Sequence, residues 1–256
     1  MGVIGARLYA AEVGQGFLSV DPLAQEFASY SPYNYVLGNP VRLVDPDGKA
    51  PQPADPPDKV SDYIYSTITS NYETNGQRLL NREGSALSYL ANTDPPTNTC
   101  AIRMCHALNE SGYPIPSRSE TPSDVRIENG REGDSGNFIL DAVSMGNYLS
   151  DIESPTISTG AIDTQEKLDA AMESINGLGN FKGILVLTAG DRKAYEATGH
   201  VDLLYNDLAG DVSMYSVTGL FSGNDLDDYL KRNFDGKLSI KIWVIKEDDV
   251  SENNDE

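Results

Sequence analysis

Apolar residues recur with helical spacing around position 100. Ala101, Met104, Cys105 and Leu108 stand at i, i+3, i+4 and i+7, the pattern of one buried helical stripe. Asp94, Pro95 and Pro96 are turn formers ahead of it, and Asn98 or Thr99 occupies the N-cap position. Helical spacing also runs through 62–68 and 85–90. A short strand followed by a helix is predicted over 138–150, after a polar loop at 112–134. Asp163 with Glu166 forms a capping-box-like start to a helix bearing Leu168, Met172 and Ile175, and Gly177 ends it. The period then shortens to two. Strands are predicted at 183–188, 200–205, 212–217 and 238–245, with a helix at 225–232 between the last two. Leu238, Ile240, Ile242 and Val244 share one face of the closing strand. Helices first and antiparallel strands last predict an α+β domain.

Residues 1–49 have a different texture. Short aromatic strands, such as Phe17-Leu18-Ser19-Val20 and Tyr33-Asn34-Tyr35-Val36, are broken by Pro, Gly and Asn. Alone, they would leave strand edges open. Asp45-Pro46-Asp47-Gly48 reads as a tight turn, and the Pro-rich residues that follow form a semi-rigid linker. The expected organisation is a β-rich segment at 1–49, a linker at 50–59, a main domain at 60–248 and an acidic tail at 249–256.

Charge narrows the partners. Across 256 residues the net charge is −20, which opposes binding to nucleic acid, where clustered Lys and Arg are needed. The first seven residues lack the basic and apolar regions of a signal peptide, so export by another route is expected. No apolar run approaches the roughly 20 residues of a membrane span. Cys100, Cys105, His106 and His200 are the only soft ligands. Three of them share one helix, which fits no common zinc spacing, and neither metal nor cofactor is expected.

The candidate chemistry begins at Cys100. A thiol in the first turn of a helix meets the positive end of the helix dipole and free N–H groups; the same groups can hold an oxyanion. Cys100 is therefore either a nucleophile or a small buried cysteine. Cys105, in the middle of the apolar stripe, reads as core. An i, i+5 pair on a helix lies roughly 8–9 Å apart at Cα, too far for a disulfide. His106 points away from the stripe and cannot serve Cys100 within one helix. That leaves His200, on a strand with Asp202 and Leu204 on the same face. A helix-start Cys followed by a strand His is the order of papain-like cysteine hydrolases. To orient the imidazole, Asp202 lies about 7 Å along the strand, and Asp211 stands eleven residues on, across a turn.

Two motifs carry a resemblance. The stretch 99–116 (TCAIRMCHALNESGYPIP), with a second block of Lys182-Gly183-Ile184-Leu185-Val186-Leu187 and then Ala197-Thr198-Gly199-His200-Val201-Asp202-Leu203, and with the closing strand Lys241-Ile242-Trp243-Val244-Ile245 as a further counterpart, resembles the fourth family of type VI secretion amidase effectors. The chain departs from that family at Leu204, where an aromatic is usual, and in an insertion-like stretch at 151–160. The resemblance implies a papain-like fold, with N-terminal helices packed on an antiparallel sheet. It also implies a peptidoglycan amidase that cuts between D-glutamate and meso-diaminopimelate. Cys100 and His200 would be catalytic, and the third role falls to Asp211, with Asp202 as the alternative. Implied partners are the stem peptide and a cognate immunity protein, and the implied place of action is the periplasm of a target cell. Pro40-Val41-Arg42-Leu43-Val44-Asp45-Pro46-Asp47-Gly48-Lys49 resembles the junction that ends the core of rearrangement-hotspot (Rhs) repeat proteins. In relatives this junction supports self-cleavage, and a part for Asp45 stays open. Two other functions are compatible with the sequence: a papain-like toxin that deamidates or transpeptidates a cytosolic protein, and a non-enzymatic wall-binding module.

Overall fold

The chain divides into two units, Met1–Pro56 and Pro57–Glu256. The computed structural model describes residues 2–4, 7–10, 16–25, 30–36, 43–45, 48–49, 52–53, 57–93, 98–189, 199–206, 212–215, 225–233 and 238–247.

In the first unit, β1 (Gly2–Ile4), β2 (Arg7–Ala10) and β3 (Gly16–Phe17) form an antiparallel sheet, and β4 (Leu43–Val44) pairs with β5 (Gln52–Pro53). The buried Arg7 holds the unit together. Its guanidinium lies 3.1 Å from Asp21 and 2.6 Å from Asp45, and 3.5 Å above the Phe17 ring. Burial makes these charges mutually dependent, since losing one would strand another without water. Asp45 also accepts a hydrogen bond from the Lys49 N–H at 2.9 Å, beside Gly48 at φ +70°.

The second unit is α+β. In chain order it comprises α1 (Tyr65–Ser70), α2 (Gly76–Leu80), α3 (Cys100–Glu110), a hairpin of β6 (Ile127–Glu128) and β7 (Phe138–Ile139), α4 (Ala142–Ile152), β8 (Ile157–Ser158), α5 (Gln165–Asn176), β9 (Phe181–Ala189), β10 (Gly199–Asn206), β11 (Val212–Met214), α6 (Leu226–Asn233) and β12 (Leu238–Ile245). The five-stranded sheet has the order β11-β10-β9-β12-β8, and every pair is antiparallel. Alternation along the strands feeds two cores. Ile184, Val186, Val201, Leu203 and Trp243 face α1, α3 and α4, whereas Leu185, Leu187, Leu204, Ile240 and Ile242 face α5 and α6. Burying such side chains contributes about 1.5–3 kcal/mol each, so the sheet is fixed from both sides.

Several details differ from the sequence reading. Thr164, not Asp163, caps α5, accepting from the Lys167 N–H, while Asp163 pairs with the Lys167 ammonium. The stretch at 85–90 yields only a 3-10 turn, Ser88–Leu90. Helix α2 and strands β6 and β8 are too short to impose a period on the sequence. The polar loop before β7 is pinned by asparagines: Asn109 accepts from Ile115 N–H at 2.7 Å, and Asn137 donates to the Ile115 carbonyl at 2.9 Å. The insertion-like stretch at 151–160 is structural. It supplies β8, and the Glu153 carbonyl receives the Trp243 indole N–H at 2.8 Å.

Candidate active site

The first turn of α3 is set by the residues just before it. Thr99 is the N-cap residue, yet its side chain makes no capping bond; instead the Asn98 side chain accepts from the Cys100 N–H at 3.1 Å. Helix α2 seats tightly against this turn, because a Cβ on Gly76 would fall 1.9 Å from the Thr99 hydroxyl. Cys100 is thereby held nearly buried at the start of the helix.

The histidine arrives on β10. Gly199, immediately before it, has φ +149°, and a Cβ there would lie 2.0 Å from the Leu187 carbonyl oxygen on β9. Only glycine fits so close an approach. Next in the strand, His200 takes the Cys100 side chain as a hydrogen-bond partner and places its Nε2 3.2 Å from the Asp202 carboxylate. Burial disfavours a charged imidazole, but the bonds to Asp202 and Cys100 outweigh it, and the His200 pKa is pushed up to about 10.

Asp202 is fully buried, and its second oxygen accepts from the Leu203 N–H at 2.8 Å. Strand rise alone separates alternate residues by about 7 Å. The side chains of His200 and Asp202 lean together across that gap, which backbone spacing does not reveal. Asp211, the other expected orienting residue, lies outside the described residues. Tyr229 was not singled out from the sequence. It reaches His200 from α6, with ring centroids 5.8 Å apart and planes at 33°. Helical spacing placed α6, but nothing local in the sequence says which strand it covers. Leu204 is fully buried beneath α5 and α6, so an aromatic there would meet the second core.

The other soft ligands stand apart from this chain of bonds. Cys105 is fully buried; its sulfur accepts from the Ile139 N–H at 3.1 Å, and burial pushes its pKa up to about 12. That thiol is a packing group. His106 contacts the Ser135 hydroxyl at 2.9 Å, and partial burial lowers its pKa. Among the described residues no cluster of His, Cys, Asp and Glu could hold a metal ion, and no helix is long and apolar enough to cross a membrane. A thiol, an imidazole and a buried carboxylate in one line suit nucleophilic attack on an acyl group, with proton transfer to and from the imidazole.

The family model described as type VI secretion system (T6SS) amidase effector protein 4, Tae4, matches residues 97–244. Similar solved structures include Tae4 from Enterobacter cloacae, with 19% identity, a TM-score of 0.48, and coverage of 72% of this chain and 96% of that one. The Tae4–Tai4 effector–immunity complex from Enterobacter cloacae gives 19% identity, 0.47, 72% and 98%. The Tae4/Tai4 effector–immunity system from Salmonella typhimurium gives 16%, 0.44, 72% and 98%. No curated protein matches the chain significantly. The family match spans more than half of the sequence, both halves of the Cys–His pair included, and the chain belongs to the Tae4 family of type VI secretion amidase effectors.

Proposed function

We propose that this protein is an antibacterial peptidoglycan amidase that hydrolyses the bond between D-glutamate and meso-diaminopimelate in the stem peptide. The observation that supports it most is the line of contacts from Cys100 through His200 to Asp202, in a member of an amidase effector family. Cys100 passes its proton to His200, and the sulfur attacks the amide carbonyl carbon. The resulting oxyanion faces the N-terminal N–H groups of α3, where Ala101 and Ile102 have no acceptor within the helix. Collapse breaks the C–N bond as His200 protonates the departing amine, leaving a thioester. A water then gives its proton to His200 and its oxygen to the acyl carbon. Expulsion of the sulfur releases the carboxylic acid and restores the pair. Asp202 orients the imidazole and offsets its charge. The family resemblance gives that role to Asp211, so the Asp202→Asn and Asp211→Asn variants are to be compared directly.

Residues 1–49 are read as the end of an Rhs core that carries the toxin, with 50–59 as linker, 60–248 as the catalytic domain and 249–256 as tail. Action on mature peptidoglycan places the enzyme in the periplasm of a target cell, and a producer then needs an immunity partner that covers Cys100. The deciding experiment is mass spectrometry of purified sacculi after incubation with wild type and Cys100→Ala. Wild type is expected to release fragments with a new amine on diaminopimelate, and the variant none. Intact stem peptides with wild type, or cleavage at another bond, would overturn the assignment. Lysis by exported but not by cytoplasmic protein is the matching result in cells.

A further inference from the structure

We infer that Asn98 is a positioning residue that straps the strand bearing His200 to the helix bearing Cys100. Its side-chain oxygen accepts from the Cys100 N–H at 3.1 Å, and its side-chain nitrogen donates to the Gly199 carbonyl at 3.2 Å. One amide thus joins the backbone of the nucleophile to the residue immediately before the base, across 101 positions of sequence. The place in the sheet explains the need. Among the described residues, β11 pairs with β10 at Leu204–Asn206, and the Tyr215 N–H extends the bonding to the Leu203 carbonyl. By the two-residue period of a strand, the Gly199 carbonyl points the same way as that of Leu203, toward the side of β10 on which β11 lies. Asn98 supplies a donor there, where a neighbouring strand would otherwise supply it. The Cys–His separation is consequently set by a rigid amide as well as by core packing.

This inference rests on the catalytic pair proposed above, so its test does not depend on the substrate. The rate of Cys100 alkylation by iodoacetamide is measured against pH in the intact protein, with His200→Ala defining the rate without the pair. Asn98→Ser keeps a side chain able to cap the helix but one too short to reach Gly199. It is expected to lower the rate at pH 6 by about tenfold, toward that of His200→Ala, as loss of near-attack geometry predicts. Its melting temperature is expected to stay close to wild type, and Asn98→Ala should behave like Asn98→Ser in alkylation. A wild-type profile in Asn98→Ser would overturn the strap and leave Asn98 a helix cap only. Wild-type alkylation indifferent to His200→Ala removes the pair and the strap with it. Normal alkylation with intact sacculi sinks the substrate assignment alone.

Discussion

Two regions of one helix contain the chain's two cysteines, and burial hardly separates them. Cys100 at the start of α3 is 3% exposed and Cys105 in its middle is 0%. Their polar surroundings do separate them. Cys100 has the imidazole of His200 beside it and the N-terminal N–H groups of the helix around it. Cys105 has only the backbone N–H and carbonyl of Ile139, and burial among apolar side chains holds its proton on. The difference teaches that a reactive thiol is defined by what can stabilise its charge, and accessibility alone would have ranked the two as equals.

The sharpest way to break this contrast is to truncate each thiol. Cys100→Ala is expected to lower sacculus cleavage by at least about a thousandfold, because the nucleophile itself is lost. Cys105→Ala should leave cleavage within a few-fold of wild type. It should lower stability in urea by about 1–3 kcal/mol, since the Ile139 N–H loses its buried acceptor. Equal loss of activity in both variants would end the distinction.

A second, smaller effect concerns the charge on His200. With Asp202→Asn the imidazole loses its carboxylate, so the alkaline limb of Cys100 alkylation should fall from near the about 10 of His200 toward the ordinary histidine value near 6.5. Cleavage at pH 9 is expected to drop by roughly ten- to a hundredfold. Stability follows the same group. A histidine pKa raised in the folded state contributes fully below about pH 6.5, and the contribution is lost as pH rises through the folded value. The denaturation midpoint of wild type should therefore decline from pH 6.5 toward 10, and Asp202→Asn should flatten that decline. An unchanged slope would show that Asp202 does not hold the proton on His200.

The smallest effect is expected at Tyr229. Its ring lies within the range at which an aromatic face attracts a cation. Tyr229→Leu should lower kcat by about two- to fivefold with KM unchanged, from loss of roughly 0.5–1 kcal/mol. A large rise in KM instead would make Tyr229 a wall of the substrate cleft.

The helix around Cys100 and the long strands were legible because their apolar patterns run unbroken over six to eight residues. Cys100 and His200 were legible as a candidate pair because the chain has so few soft groups to choose from. Harder to read was everything set by packing between distant elements. The lean of Asp202 toward His200 is a side-chain choice that strand spacing argues against, and Tyr229 depends on where α6 lands. Asn98 was visible as a candidate cap, but its bond to Gly199 depends on where β10 lies beside α3. Short pieces such as β8 exist only because β12 offers them a partner.

The distance in sequence between Asn98 and Gly199 also bears on when the site exists. Closing so long a loop is slow, and folding rates fall as contacts become less local. Helix α3 can form early from its own residues, yet β10 has no place until β9 is laid down beside it. The proposed nucleophile and base therefore meet late, once most of the sheet is assembled. A chain that is still unfinished, or held unfolded, carries every side chain of the proposed site and none of its geometry, and the proposed activity switches on with the cooperativity of the fold itself.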